Sequence, residues 1–285
     1  MRLFVFFQRA CLGQKLSLLG RRFVAAEATW RPLLWLPSFL WLLLLWPGVA
    51  RGFDPADVPD DFRATFVNCL SKAQADPMAG WDYAEQWLSS GYAGTAYAQY
   101  CMAMAAFRAG EPGQAGDMLV ALSGFDRVHG TDLEVRFLSL AGDLLDAAGR
   151  AEAAVQAHSE ALKLEPDDPV HWVSRAVARA SLGDFEATLA DLDRALDLDP
   201  ERVDALVFRG SAYRAVGEND LAMDDALQAL LVEPENLPGL WLAADLAIAE
   251  GDQVSAKAFL QRIRDSQDAG WRAQAEALLA DLAAD

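Results

Sequence analysis

Residues 169–200 read PVHWVSRAVARASLGDFEATLADLDRALDLDP, and residues 203–234 read VDALVFRGSAYRAVGENDLAMDDALQALLVEP. The two stretches follow one plan: an apolar run at helical spacing, a glycine at the fifteenth place, a second apolar run and a closing proline. In the first stretch Asp168 can cap a helix opening at Pro169, a residue suited to the first helical position because no amide donor is needed there. Trp172, Ala176 and Val177 recur on one face of that helix. Leu182-Gly183-Asp184 ends it, since glycine accepts the left-handed conformation of a helix C-terminus and aspartate can cap the helix that follows. Phe185, Leu189, Leu192, Ala195 and Leu196 then line a second amphipathic helix, which Pro200 cannot continue.

The same beat extends in both directions. Gly149, Gly183, Gly217 and Gly251 stand at one constant interval. Pro166, Pro200 and Pro234 keep that interval inside three acidic turns, Leu164-Glu165-Pro166-Asp167, Leu198-Asp199-Pro200-Glu201 and Val232-Glu233-Pro234-Glu235. A fixed period of this length marks stacked helical hairpins. With 285 residues, 53% of them hydrophobic, many alanines and leucines and few strand signals, the chain reads as all-helical and large enough to bury a core.

The unit resembles the tetratricopeptide repeat, a helix-turn-helix of about 34 residues. With the proline at position 32, position 4 holds Leu138, Trp172, Leu206 and Leu240. Small residues stand at position 8 (Gly142, Ala176, Gly210, Ala244) and position 20 (Ala154, Thr188, Ala222, Ala256). Position 27 holds Ala161, Ala195 and Ala229, with Ile263 in the fourth unit. His158, Leu192, Ala226 and Leu260 replace the aromatic residue usual at position 24, and Asp268 stands in place of a fourth proline. The resemblance covers residues 135–268 as four units and implies a right-handed α-solenoid.

Around this array the chain divides further. Residues 61–134 read as two divergent hairpins of the same kind, with helices at 61–74, 81–89, 93–109 and 114–123. Cys69 and Cys101 lie in comparable places of the two hairpins, on first helices that are neighbours in such arrays. They are either a disulfide or two small buried apolar residues. Residues 269–285 give one more helix, with Trp271, Ala275, Leu278, Leu279 and Leu282 on one side, to cap the last apolar face.

The N-terminal region is of another kind. Residues 1–32 are basic, and residues 33–50 form an uncharged run ending in Gly48-Val49-Ala50. That run is a cleavable signal peptide or a membrane anchor, with the repeats exported beyond it. A proline-containing acidic linker covers residues 51–60. Residues 1–50 carry a net +5 and the remainder −23, for −18 in all, which opposes nucleic acid and anionic lipid.

No reaction chemistry is written in the chain. His129, His158 and His171 have no partner histidine at metal-ligand spacing. The turn Gly110-Glu111-Pro112-Gly113 lacks the strand and lysine of a phosphate loop. Asp191, Asp193, Asp197 and Asp199 read as a solvated acidic face. No cofactor, metal or catalytic residue is expected. The expectation is a non-enzymatic scaffold in the periplasm of a bacterial-type envelope, or an inner-membrane-anchored assembly factor. By resemblance, positions 2, 5, 9 and 12 of each unit face a concave groove that binds peptides or helices. They nominate Arg136, Val173, Val177, Val207, Ser211, Arg214, Trp241 and Asp245 for an unidentified protein partner.

Overall fold

The computed structural model describes residues 58–91, 94–125, 128 and 130–284. Every regular element among them is an α-helix, thirteen in all. The basic region, the apolar run and the linker as far as residue 57 lie outside the described residues, as does His129. Among the described residues no helix is long and apolar enough to cross a membrane.

The chain divides after Arg150 into two compact units. The first carries α1 (Asp60–Ala75), α2 (Pro77–Ser89), α3 (Thr95–Arg108), α4 (Pro112–Ser123) and α5 (Asp132–Ala147). The second carries α6 (Ala151–Leu164), α7 (Pro169–Ser181), α8 (Phe185–Leu198), α9 (Val203–Val216), α10 (Asn219–Val232), α11 (Leu237–Glu250), α12 (Gln253–Arg264) and α13 (Ala269–Ala284).

In the first unit each helix packs on the next, and α1 also meets α3. Cys69 of α1 and Cys101 of α3 are joined by a disulfide, S–S 2.08 Å, within a cluster that includes Ala73, Ala84 and Ala105. Aromatic contacts continue the core: Phe66 meets Tyr97 and Tyr100, and Tyr100 stacks on Phe137 of α5 with centroids 5.7 Å apart. Asp76 caps α2 through the Met78 amide at 3.0 Å, with Pro77 at the first helical position.

The second unit holds three of the four hairpins that the period predicts, together with α6, the second helix of the first. Successive helices pack in order, and the first helix α9 also touches the first helices α7 and α11. Asp168 accepts from the Val170 amide at 2.8 Å and Asp184 from the Ala187 amide at 3.2 Å, so both act as caps. Gly217, at φ +91°, sits in the left-handed region at the end of α9. Positions 8 and 20 meet as small residues should. The Thr188 hydroxyl donates to the Ala176 carbonyl at 3.3 Å, and Gly210 lies against Ala222. Asp268 takes over where the proline is missing, because its carboxylate caps α13 through the Gly270 and Trp271 amides at 2.8 and 3.0 Å. Trp271 and Ala275 of α13 are buried against Leu240, Leu246, Leu260 and Ile263, with Leu278, Leu279 and Leu282 packed alongside.

One expectation is corrected. Asp191 is not on a solvated face, being only 2% exposed. Arg175 binds both its oxygens, at 2.9 and 2.7 Å, and Arg179 adds a contact at 2.8 Å. The same pair recurs one repeat later, where Arg209 binds both oxygens of Asp225 at 2.9 and 2.7 Å. Each arginine also reaches back to the preceding hairpin, Arg175 to the Ser159 hydroxyl at 3.3 Å and Arg209 to Asp193 at 2.8 Å. A planar guanidinium suits this double task, since its donors leave in two directions. Asp193 and Asp197 keep largely exposed side chains, as expected of the run.

Candidate functional site

The first helices α7, α9 and α11 bring most of the nominated residues onto one compact unit. Their exposure separates them. Val173 and Val207 belong to a single core cluster with Leu192, Leu196, Val203 and Leu206. Val177 and Ser211 are also buried, and the Ser211 hydroxyl donates to the Val207 carbonyl at 2.8 Å within its own helix. Arg214, Trp241 and Asp245 remain half-buried.

These three form a small patch across two helices. Trp241 and Asp245 are one turn apart on α11, hence on one face. Arg214 of α9 reaches Asp245 at 2.5 Å, with the two side chains 30% and 33% exposed. Burial pushes the Asp245 carboxyl up from its ordinary range, against the lowering by the Arg214 charge and hydrogen bond. Trp241 packs edge-on against Trp271, centroids 5.8 Å apart, an arrangement that ring quadrupoles favour and that fixes the indole. The patch therefore offers a rigid aromatic surface beside an ion pair.

Arg136 belongs to α5 in the other unit and is exposed. On the same helix, burial and the neighbouring Asp146 carboxylate push Asp143 up to about 7. His158 is buried at 1% exposure, and burial, with help from His171 and Arg175, lowers its imidazole to about 3. It fills the place where the repeat usually has an aromatic ring.

Two arrangements escaped the reading of the sequence. The Arg175–Asp191 and Arg209–Asp225 pairs had a signal, since an arginine precedes an aspartate by the same interval and at the same phase of two successive units. The second is a group of three metal-ligating side chains, Glu165, Asp168 and His171, whose ligand atoms lie within 4.8 Å of one another. No two histidines are involved, so histidine spacing could not reveal it.

No curated protein and no protein-family profile matches the chain. Solved structures do. A thermophilic tetratricopeptide protein, TTC0263 from Thermus thermophilus, is similar with a TM-score of 0.53 and 17% identity, over 65% of this chain and 99% of that one. MamA from Desulfovibrio magneticus RS-1, from residue 41 to its end, is similar with a TM-score of 0.52 and 19% identity, over 61% of this chain and 97% of that one. Likeness at this level shows the fold, and the chain has the tetratricopeptide-repeat fold.

Proposed function

We propose that this protein is a non-enzymatic interaction scaffold that holds a segment of a partner protein against the first helices of its second unit. The observation that carries the reading is the Trp241–Asp245–Arg214 patch, half-exposed on adjacent first helices of a tetratricopeptide fold. Rigid aromatic and arginine side chains are the residue types that anchor protein contacts. The ion pair favours a segment that carries polar or charged side chains beside an apolar anchor for Trp241. Val173, Val177, Val207 and Ser211 are buried and leave the contact to Trp241, Asp245 and Arg214. The negative charge of residues 51–285 speaks against nucleic acid as the partner.

We place the scaffold in the periplasm of a bacterial-type envelope. The Cys69–Cys101 disulfide favours an oxidising compartment, and the uncharged run at 33–50 behind a basic region favours export. The length of that run also favours a second reading, an inner-membrane-anchored assembly factor whose repeats face the same compartment. N-terminal sequencing of the purified protein separates the two: a start near Arg51 gives the soluble scaffold, and a retained apolar run gives the anchored factor.

The scaffold reading is tested by capture from envelope extracts with the parent protein and with Trp241→Ala/Arg214→Glu. Both positions are half-exposed, so the variant should keep its helical circular dichroism. A protein held by the parent and released by the variant is the expected result. Equal retention by a folded variant moves the contact surface off these helices.

A further inference from the structure

The turn between α6 and α7 carries a feature that its sister turns lack. Its acid Glu165 corresponds to Asp199 and Glu233 in the next two copies, so the acid is part of the repeat. Further along the turn the copies part. Asp168 and His171 stand where the next units have Arg202 and Ala205, then Asn236 and Gly239. Ala205 is fully buried, and a side-chain carbon added at Gly239 would meet Leu230 at 3.4 Å, so the later copies use small residues there. The fold needs no imidazole at this place.

The imidazole is nonetheless poorly satisfied by the protein. The His171 side chain is only 7% exposed. Its Nδ1 is buried with no hydrogen-bond partner, and its Nε2 makes a long contact of 3.3 Å to Glu165. Asp168 uses Oδ1 to cap α7, which leaves its second oxygen uncommitted. Among the described residues, Glu165 has no ion-pair partner but His171, and Asp168 has none. Two carboxylates and a buried imidazole thus converge within 4.8 Å.

We propose that Glu165, Asp168 and His171 bind a first-row divalent metal ion of the zinc type. One imidazole nitrogen and two carboxylate oxygens form a mixed donor set that suits Zn²⁺ and its neighbours. They do not suit Ca²⁺, which takes about six to eight oxygen ligands. The two carboxylates outweigh the positive end of α7, equivalent to about half a charge. Three protein ligands leave a fourth position for water. Because the imidazole must be neutral to ligate, protons compete with the metal for it.

The test is titration of the full-length protein with Zn²⁺, followed by calorimetry, and with Co²⁺, followed by visible absorption. His171→Ala copies the residue that the next repeat uses, so it should fold, and circular dichroism checks that it does. Glu165→Gln removes an exposed ligand, and Asp167→Asn serves as a neighbouring control. The expected result is one ion bound by the parent and by Asp167→Asn, with at least about tenfold weaker binding in both ligand variants. No binding at millimolar metal overturns the proposal. So does equal binding by all four proteins, or weakening in His171→Ala alone.

Discussion

Two glycines of the second unit show how one residue type answers two demands. Nothing lies within 4 Å of a side-chain carbon added at Gly217, but its φ of +91° strains any L-residue. Gly217→Ala should lower the stability of the unit by about 1 kcal/mol, and Gly217→Val by more, read as a shift in urea midpoint. At Gly210 the backbone is helical, but an added carbon would lie 2.8 Å from Leu242 and 3.0 Å from the Ala222 carbonyl. The repeat made both positions legible; the left-handed turn explains Gly217, and only the packing explains Gly210. His158 gives a prediction in pH. Its folded imidazole is held near 3 while an unfolded one titrates near 6.5, so between those values the unfolded chain holds a proton that the fold excludes. Its stabilising contribution is complete above pH 6.5 and is lost as the pH falls towards 3, with a slope approaching about 1.4 kcal/mol per pH unit. His158→Phe, which restores the usual aromatic, should flatten the difference in stability between pH 6.5 and 4 measured by urea denaturation. An unchanged slope would place the acid sensitivity elsewhere.

At the scale of elements, the hairpins are held by apolar contacts that the helical spacing revealed and by ion pairs that it concealed. Phe185, Leu192, Ala195 and Leu196 bury the face of α8 that their periodicity assigns to the core. Asp191 lies in the same helix and is just as buried, yet its neighbours Asp193 and Asp197 gave the run the look of a solvated surface. What distinguishes Asp191 is Arg175 on the facing helix, a relation visible only when units are compared. The ladder is confined to the two middle units, because Ala141 and Ala157 before it and Ala243 and Phe259 after it hold the corresponding places. Arg209→Leu should therefore cost about 3–5 kcal/mol, since Asp225 stays buried at 6% side-chain exposure without its partner. Arg209→Leu/Asp225→Leu should recover much of that loss, because the desolvated carboxylate is gone. A double variant no more stable than the single one would mean that Arg209 acts chiefly through Asp193. The turn of Glu165, Asp168 and His171 was hidden for a related reason, as its residues meet only after Pro166 and Asp167 have reversed the chain.

At the scale of the whole molecule, the architecture was legible because a repeat states the same fact several times. The departures from it mark where local demands differ: Ile263 for a small residue, Asp268 for proline, His158 for an aromatic. The apolar run at 33–50 carries the export reading on composition alone, with no repeat to check it. The end of the array follows from the physics of stacking. Each hairpin buries its outer face on the next, so the last one needs a cover. α13 supplies it through Trp271, Ala275 and three leucines set against Leu240, Leu246, Leu260 and Ile263. Trp271 also braces Trp241, one of the three residues of the proposed contact patch. Burial of large apolar side chains contributes about 1.5–3 kcal/mol each, so removing residues 269–285 should cost several kcal/mol and bare a contiguous apolar face. The truncated protein is expected to melt earlier and to self-associate, measured by thermal circular dichroism and light scattering. It should also lose partner capture, because Trp241 loses the ring that fixes it. Trp271→Leu separates these effects: it keeps an apolar cover and removes the edge-on contact. If the variant melts close to the parent yet binds the partner more weakly, the cap serves the contact surface as well as the fold. If both properties are unchanged, the cap closes the array and does nothing more.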